Sequence, residues 1–277
     1  MEWNGFSKDK IYDSTWFVNE ELSVEISNKQ VIVQKKIEAK YKQVKWVDVK
    51  INNQTKKIEA NLRINLKEKE NNTSLTFDDL LVFAKNGVKK YWERNSNRIV
   101  GTSIQIHKDY YEFFINPINT KEKSMPTIGV YSLNSDYGRS RNWWASRKLY
   151  YNEGESFHIY LEISKYYPAE YHPISKEEGT IEDKKEFEYT ATHEIGHEIL
   201  QAYGGKYEHS YIHKGSSTLF TQKVKPNSHL PSSGEIDLMK YYKDEYLVLR
   251  DKNNFYARVV AEEKDVIGLA WLTKLQF

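Results

Sequence analysis

The segment from Glu182 to Tyr203 limits the possible folds more strongly than any other part of the sequence. Its apolar residues recur every four positions, at Phe187, Ala191, Ile195 and Ile199. This spacing places them on one face of a helix, where they can enter a hydrophobic core. Two glycines, Gly204 and Gly205, follow directly and are typical of a helix C-terminus. The pattern predicts a helix over about residues 183–203 with one buried face.

The same helix carries the pattern H-E-x-x-H, as His193-Glu194-Ile195-Gly196-His197. Residues four apart on a helix share a face, so both imidazoles can reach a single metal ion. Glu194 lies beside the first histidine, where it can take a proton from a metal-bound water. The chain has no cysteine, which excludes thiolate ligands and cysteine nucleophiles. The pattern predicts one zinc ion per chain, with His193 and His197 as ligands and Glu194 as general base.

A catalytic zinc ion needs a third protein ligand and keeps one position for water. The long form of the motif has Gly three residues and His six residues after the second histidine, but Leu200 and Tyr203 occupy these places. The candidates further along the chain are Glu208, His209, His213, Glu235 and Asp237. Spacing alone does not choose among them. A neutral third imidazole would leave the site with a net charge of +2, which favours a histidine.

A methionine and a tyrosine follow in the segment Gly234-Glu235-Ile236-Asp237-Leu238-Met239-Lys240-Tyr241-Tyr242. Tyr241 comes two residues after Met239, and this arrangement resembles the Met-turn of the metzincin metallopeptidases. The resemblance implies that Met239 lies beneath the metal. It also implies that the Tyr241 hydroxyl stabilises the tetrahedral intermediate.

The resemblance extends over about residues 186–242. The run Thr192 to Leu200, the segment His213-Lys214-Gly215-Ser216-Ser217 and the methionine segment are together similar to zincin-like metallopeptidase domains. Such domains occur as effector or toxin modules of bacterial type VI secretion and related polymorphic systems. The resemblance favours His213 over His209 as the third ligand. It further implies a protein or peptide substrate, a secretion apparatus and an immunity protein that protects the producing cell.

The remainder of the chain predicts an α+β fold. Alternating residues such as Ile58, Ala60, Leu62 and Ile64 predict strands, so residues 1–73 are expected to form a β-rich antiparallel meander. Residues 74–277 are expected to form the zincin-like catalytic domain, which begins with a backing helix over about residues 77–94 capped by Thr76.

Strand patterns return between Arg98 and Tyr167, and they include the alternation of Phe157, Ile159, Leu161 and Ile163. Within this region, Arg139 to Tyr151 is rich in Arg, Trp and Tyr and predicts a structural aromatic cluster. A loop is expected from Tyr166 to Gly179. Two short helices are expected from Asp251 to Phe277, the second of them capped by Asp265.

Composition narrows the functional classes. Among the 277 residues, 41 Lys and Arg oppose 39 Asp and Glu, so the net charge of +2 does not favour nucleic acid as a partner. No apolar run is long enough to span a membrane, and no apolar signal-peptide run follows Met1. The protein is therefore expected to be made in the cytoplasm, and the resemblance implies export by a dedicated secretion system.

These observations favour a zinc-dependent hydrolase of peptide bonds. One alternative is a zinc amidase that acts on a cell-wall crosslink or another non-protein amide. A second alternative is a binding or adaptor protein with a vestigial zinc site. Glu194 argues against the vestigial site, because a purely structural zinc ion does not need a general base.

Overall fold

The structure is a computed structural model that describes residues 6–17, 21–28, 31–38, 40–41, 44–134, 138–143, 145–166, 173–204, 214, 223–243, 251–273 and 275–276. These residues form a mixed α+β fold, as the sequence predicts.

The helices are α1 Phe77–Trp92, α2 Glu155–Tyr166, α3 Lys176–Gly204, α4 Lys252–Arg258 and α5 Glu263–Trp271. The strands of the first half are β1 Ile11–Asp13, β2 Glu21–Asn28, β3 Val31–Glu38, β4 Lys40–Tyr41, β5 Val47–Asn52, β6 Lys57–Ile64 and β7 Leu66–Asn71. The later strands are β8 Ile104–Ile106, β9 Asp109–Asn119, β10 Ile128–Leu133, β11 Arg141–Trp143, β12 Ser146–Asn152, β13 Ile236–Asp237, β14 Val259–Val260 and β15 Leu275–Gln276.

A five-stranded sheet has the order β1-β5-β6-β9-β8. β5 and β6 are antiparallel neighbours, and every second residue of β6 is buried, as its alternating sequence predicts. The other neighbour of β6 is β9, which runs parallel to it with Ile58 opposite Phe113. β9 comes from beyond residue 73, so strands from both predicted domains share this sheet. The domain boundary itself stays a prediction.

A four-stranded sheet has the order β11-β12-β10-β7. β10 runs parallel to both β12 and β7, whereas β11 is antiparallel to β12 and forms one edge. β7 follows β6 after a single residue, Asn65, so the chain passes directly from the first sheet into the second. The edge formed by β11 lies against α3, the helix that carries the H-E-x-x-H pattern.

Helix α1 confirms the helix predicted over about residues 77–94, although it ends two residues earlier than expected. The Thr76 hydroxyl accepts the backbone N–H of Asp79, and the Asp79 carboxylate accepts the N–H of Thr76 in return. This capping box fixes the first turn. The apolar face of α1, which includes Leu80, Ala84 and Val88, is buried in the core and contacts α3.

The strand predicted around Phe157 to Ile163 is wrong, because these residues form α2. Both oxygens of the Asp183 carboxylate accept backbone N–H groups at the start of α2, from Gly154 at 2.7 Å and Ser156 at 2.8 Å. Asp183 is buried on α3 and therefore acts as a cap supplied from another helix. A Cβ at Gly179 would lie 2.8 Å from the Cβ of Phe157, so glycine permits close contact of the two helices. Contacts between distant residues thus outweigh the local alternation.

Helix α3 begins at Lys176, which shortens the loop predicted from Tyr166 to Gly179. Its first turn is closed by a second capping box, in which the Ser175 hydroxyl accepts the N–H of Glu178 and the Glu178 carboxylate accepts the N–H of Ser175. The spacing of Ser175 and Glu178 is a recognisable sequence signal for this start.

The two predicted C-terminal helices are present as α4 and α5, but Asp265 does not cap the second one. Glu262 occupies the N-cap position, and Asp265 lies inside the first turn, fully buried. Its carboxylate accepts hydrogen bonds from side chains outside α5. Val266, Leu269, Ala270 and Leu272 are buried as predicted. Within the described part of the chain, no helix combines the length and apolar character that a membrane span requires.

Candidate active site

Helix α3 brings His193, Glu194 and His197 together in the interior of the protein. All three are buried, with 7%, 7% and 3% of their surface exposed. The two imidazole rings are perpendicular, and their centroids lie 4.9 Å apart. The centroids of two imidazoles on one tetrahedral zinc ion lie roughly 5 Å apart, so this spacing fits a shared ion.

The orientation of His193 is fixed by a hydrogen bond to Leu238, which lies in a later segment of the chain. Its Nδ1 lies 2.9 Å from the backbone oxygen of Leu238. A carbonyl oxygen can only accept, so Nδ1 carries the proton and Nε2 carries the lone pair that a metal needs. Burial lowers the pKa of His193, although the bond to Leu238 opposes this effect. The imidazole therefore favours the neutral form that binds metals.

The segment from Ile236 to Tyr242, which we call the Met239 turn, packs directly beneath the histidines. A Cβ on Gly196 would lie only 2.5 Å from the Sδ of Met239 and 3.2 Å from Cζ2 of Trp92. Only glycine therefore allows Met239 to contact the helix between the two histidines. The turn is held by the Asp237 carboxylate, which accepts the N–H of Met239 at 2.9 Å.

Tyr241 lies on the same side of the helix as His193. Their rings are nearly parallel, with an interplanar angle of 8° and centroids 6.1 Å apart. Tyr241, His193 and Glu194 line one cavity of about 580 Å³. The backbone N–H of Tyr241 donates to the carbonyl of Lys214 at 2.8 Å, and the Ser228 hydroxyl donates to the carbonyl of Tyr241. These bonds fix the backbone of Tyr241 beside the histidine pair.

The carboxylate of Glu194 is confined in this cavity. Its Oε2 is buried and has no hydrogen-bond partner among the residues that the structure describes. Burial raises the pKa of Glu194 to about 8, while a backbone interaction with Asn142 and the charge of Arg139 act in the opposite direction. A buried carboxylate oxygen without a partner is unfavourable for stability, so its presence indicates a functional requirement.

The edge of the four-stranded sheet, formed by β11 and β12, supports the turn of α3 that carries Glu194. Asn142 on β11 donates its side-chain N–H to the backbone oxygen of Glu194 at 2.7 Å, and Arg147 on β12 forms an ion pair with Glu198 at 2.9 Å. Both belong to the segment that the sequence predicts as an aromatic cluster. Within this segment, Arg141 bonds to the Ser146 hydroxyl, Arg147 bonds to Glu198, and the Lys148 ammonium lies over the ring of Tyr131. The sequence offers no signal for this support, because it depends on pairing between β11 and β12.

Asp237, one candidate for the third ligand, is engaged elsewhere. Its carboxylate accepts a hydrogen bond from the Lys214 ammonium at 3.0 Å, and this ammonium also bonds to Glu262 and Asp265. The carboxylates of Asp237, Glu262 and Asp265 are close enough to hold a metal ion, but the Lys214 nitrogen already bonds to all three. We call these four residues the Lys214 cluster. The carboxylates thus compensate a lysine charge, and Asp237 is not available to the histidines.

Glu235 is also engaged. Both of its oxygens accept from the guanidinium of Arg94, at 3.0 Å and 2.7 Å, and this pair ties the residue before the Met239 turn to the segment that follows α1. The remaining candidates, Glu208, His209 and His213, lie outside the described residues. The structure therefore places His193, Glu194 and Tyr241 in the lining of one cavity, with the His197 ring beside His193 and Met239 packed against Gly196. The prediction of His213 stays open.

Comparison with known proteins identifies no relative of this chain. No family model matches the chain, and no match was found among curated proteins or solved structures. The functional conclusion consequently rests on the geometry of this site.

Proposed function

We propose that the protein is a zinc-dependent hydrolase of peptide bonds. The observation that carries this proposal is the buried Glu194 oxygen, which has no partner among the described residues and lies beside two histidines whose spacing fits one zinc ion. A structural metal site would not require this carboxylate, because a closed set of ligands is sufficient for folding.

His193, His197 and His213 would hold the ion in this proposal. When bound, zinc would act as a Lewis acid for the scissile carbonyl and would supply a water of lowered pKa. Glu194 accepts the proton of that water and returns it to the leaving amine. The Tyr241 hydroxyl donates to the developing oxyanion from the cavity side, and Met239 supports the histidines from below.

The wider arrangement supports a zincin-like catalytic domain. The backing helix α1 packs against α3, the four-stranded sheet meets α3 through β11 and β12, and the Met239 turn lies beneath the histidines. The sequence resemblance rests on about residues 186–242, and it implies a succession of backing helix, sheet, motif helix and methionine turn that agrees with this arrangement.

The neighbour of His213 in the chain supports it as the third ligand. Lys214 forms a bridge with Lys240 of the Met239 turn, and its ammonium is fixed by the Lys214 cluster. The engagement of Asp237 and Glu235 also leaves fewer alternatives. A third neutral imidazole keeps the net charge of +2 that best polarises a carbonyl.

Proteolysis with a matched variant tests the function. Zinc-loaded wild type and Glu194→Gln are incubated separately with an unstructured protein such as casein and with peptidoglycan, and new amino termini are counted by mass spectrometry. We expect cleavage of the protein by wild type and a loss of about 10²–10⁴ in rate for Glu194→Gln, which keeps its zinc. Cleavage of peptidoglycan alone would instead support the amidase. No cleavage of either substrate would contradict the hydrolase.

Zinc content in a set of variants tests the ligands. His213→Ala should lose zinc after a mild chelator wash, whereas His209→Ala should keep it. The reverse result would assign His209 as the ligand. Tyr241→Phe should keep zinc and lose about 10²–10³ in turnover, because it lacks the oxyanion donor.

We further propose that this hydrolase acts as an exported effector toxin. Wild type and Glu194→Gln are expressed in bacterial cytosol and, with an added signal peptide, in the periplasm. Growth inhibition by the active form alone, in either compartment, is expected. Harmless expression of the active form in both compartments would contradict a toxin that acts on bacteria.

A further inference from the structure

The cavity that contains Glu194 continues well beyond the proposed catalytic groups. Its volume is about 580 Å³, in the range of ligand pockets, and it follows the face of α3 toward the N-terminus of that helix. The far end is lined by Glu155, Asp183 and Glu186, with one cation, Lys252, while a second lining cation, Arg139, acts on Glu194 at the other end. Three carboxylates against one ammonium leave this end with an excess of two negative charges.

Two of these carboxylates have unused hydrogen-bonding capacity. Both oxygens of Asp183 accept N–H groups of α2, so its role is structural. In contrast, Glu155 uses Oε2 for Asn152, and Glu186 uses Oε2 for the hydroxyl of Tyr256. Within the described part of the chain, no donor bonds to the Oε1 atom of Glu155 or Glu186.

The charges of the two carboxylates repel each other. Burial raises the pKa of Glu155, and the charges of Glu186 and Asp183 add to this rise, while Asn152 and Lys252 oppose it. Lys252 compensates only in part, since its ammonium lies over the ring of Tyr160, 5.4 Å from the centroid. A cationic guest between Glu155 and Glu186 would relieve this repulsion.

A buried hydroxyl gives an independent sign of a ligand at this end. Tyr151 lines the cavity and is only 1% exposed, yet its hydroxyl has no hydrogen-bond partner among the described residues. Burial and then the charge of Asp183 raise the pKa of Tyr151, which places the hydroxyl near the carboxylate end. Phe187, Phe255 and Tyr256 complete aromatic walls that suit a cation with an aliphatic stem.

The length of the cavity matches a long side chain. Glu186 precedes His193 by seven residues on α3, a separation of roughly 10 Å along the helix axis. A lysine ammonium lies roughly 6 Å from its own Cα, and that Cα is roughly 3 Å from a neighbouring peptide carbon. A Lys or Arg side chain next to the scissile bond would therefore reach Glu186, whereas shorter side chains would not.

We propose that this cavity is a specificity pocket for a cationic side chain, Lys or Arg, adjacent to the bond that is cut, with Glu155 and Glu186 as its recognition residues. This inference rests on the proposed peptide-bond hydrolase. It adds a substrate preference that neither the H-E-x-x-H pattern nor the Met239 turn specifies.

Binding and cleavage are measured separately to test the pocket. Fluorescent hexapeptides carry either Lys or norleucine at each position in turn, because norleucine has a comparable stem without the charge. Affinity for zinc-loaded Glu194→Gln is measured by fluorescence anisotropy, and cleavage of the same peptides by wild type is mapped by mass spectrometry. We expect a Lys peptide to bind at least ~10-fold more tightly than its norleucine partner at one position.

Matched variants identify the recognition residues. Adding Glu155→Gln or Glu186→Gln to the Glu194→Gln background should reduce the preference to about threefold or less. Glu188→Gln is the control, since Glu188 lies on the same helix but does not line the cavity and pairs with Lys90 of α1.

The outcomes separate the two proposals. Equal affinity for Lys and norleucine peptides at every position, tighter binding of acidic peptides, or a preference that persists in both pocket variants would overturn the cationic pocket, even if peptides are cut. A Lys preference in binding that depends on Glu155 and Glu186, with no cleavage by wild type, would support the pocket and overturn only the hydrolase.

Discussion

Replacement of Lys214 by methionine is the most informative perturbation of this fold. The Lys214 ammonium bonds to Asp237 at 3.0 Å, to Glu262 at 2.8 Å and to Asp265. The side chain of Asp265 is completely buried, and that of Asp237 is 14% exposed. Methionine keeps much of the aliphatic length but removes the charge, so buried carboxylates would remain without their cation.

The expected loss in the free energy of unfolding is large. Removing one partner of a buried ion pair costs about 3–5 kcal/mol, because the remaining charge stays buried and uncompensated. We expect Lys214→Met to fall in this range at pH 8. Lys264→Met is the matched control, since Lys264 bonds to the same Glu262 oxygen at 3.1 Å but is 64% exposed. Such an exposed pair contributes at most ~1 kcal/mol.

The loss should depend on pH in a defined direction. Burial raises the pKa of Asp237 in the wild type even though Lys214 opposes this effect, so removal of Lys214 should raise it further. When folding raises the pKa of a carboxyl group, the folded state favours its protonated form. The free energy of unfolding therefore falls as pH rises toward and through the folded pKa. The difference between Lys214→Met and wild type should therefore be smaller near pH 5 than at pH 8.

Urea denaturation of the zinc-free proteins, followed by circular dichroism at pH 5 and pH 8, measures both effects. If Lys214→Met loses less than about 1 kcal/mol at pH 8, or no more than Lys264→Met, the Lys214 cluster does not stabilise the fold as we argue. Zinc affinity, measured by competition with a chelator, should also fall by about 10–100-fold, because Lys214 adjoins the proposed ligand His213.

Three further predictions concern the helix that carries the motif. His193→Ala or His197→Ala should remove most bound zinc after a mild chelator wash, and equal zinc content in wild type and both variants would exclude the site. Gly196→Ala should lower the free energy of unfolding by about 1–3 kcal/mol although alanine favours helices, because its Cβ would overlap Met239. Adding Met239→Ala should recover part of this loss in a double-mutant cycle, and strict additivity would refute the contact. Burial raises the pKa of Glu194 from 4.5 to about 8, so the zinc-free protein should lose up to a few kcal/mol of stability as pH rises through this interval. Glu194→Gln should abolish this slope in urea titrations, and an unchanged slope would show that another group titrates.

Local sequence signals predict a helix or strand well when the capping residues and the apolar spacing that stabilise it lie within the same segment. Thr76 and Asp79 form the capping box of α1, and the apolar spacing of α1 and α3 matches their buried faces. The strand assigned to residues 157–163 shows the limit of such signals. Its alternation is real, but Asp183 and Gly179 on α3 supply the cap and the close contact that favour a helix.

The sequence by itself determined the catalytic candidates on one helix. His193 and His197 share a face because residues four apart do so in an α-helix, and Glu194 lies three residues before His197. The methionine turn was also recognisable from Met239 and Tyr241, although its position beneath Gly196 was not. These are local regularities, and they do not depend on how the remainder of the chain folds.

Only the tertiary structure decided which other groups meet the site. The Lys214 cluster joins Lys214, Asp237, Glu262 and Asp265 from separate segments, and this convergence removes Asp237 from the candidate ligands. The cavity likewise combines Glu155 of α2 with Glu186 of α3, because α2 folds back against α3. Charge pairing and burial depend on distances between segments that are remote in sequence, and no local pattern encodes those distances.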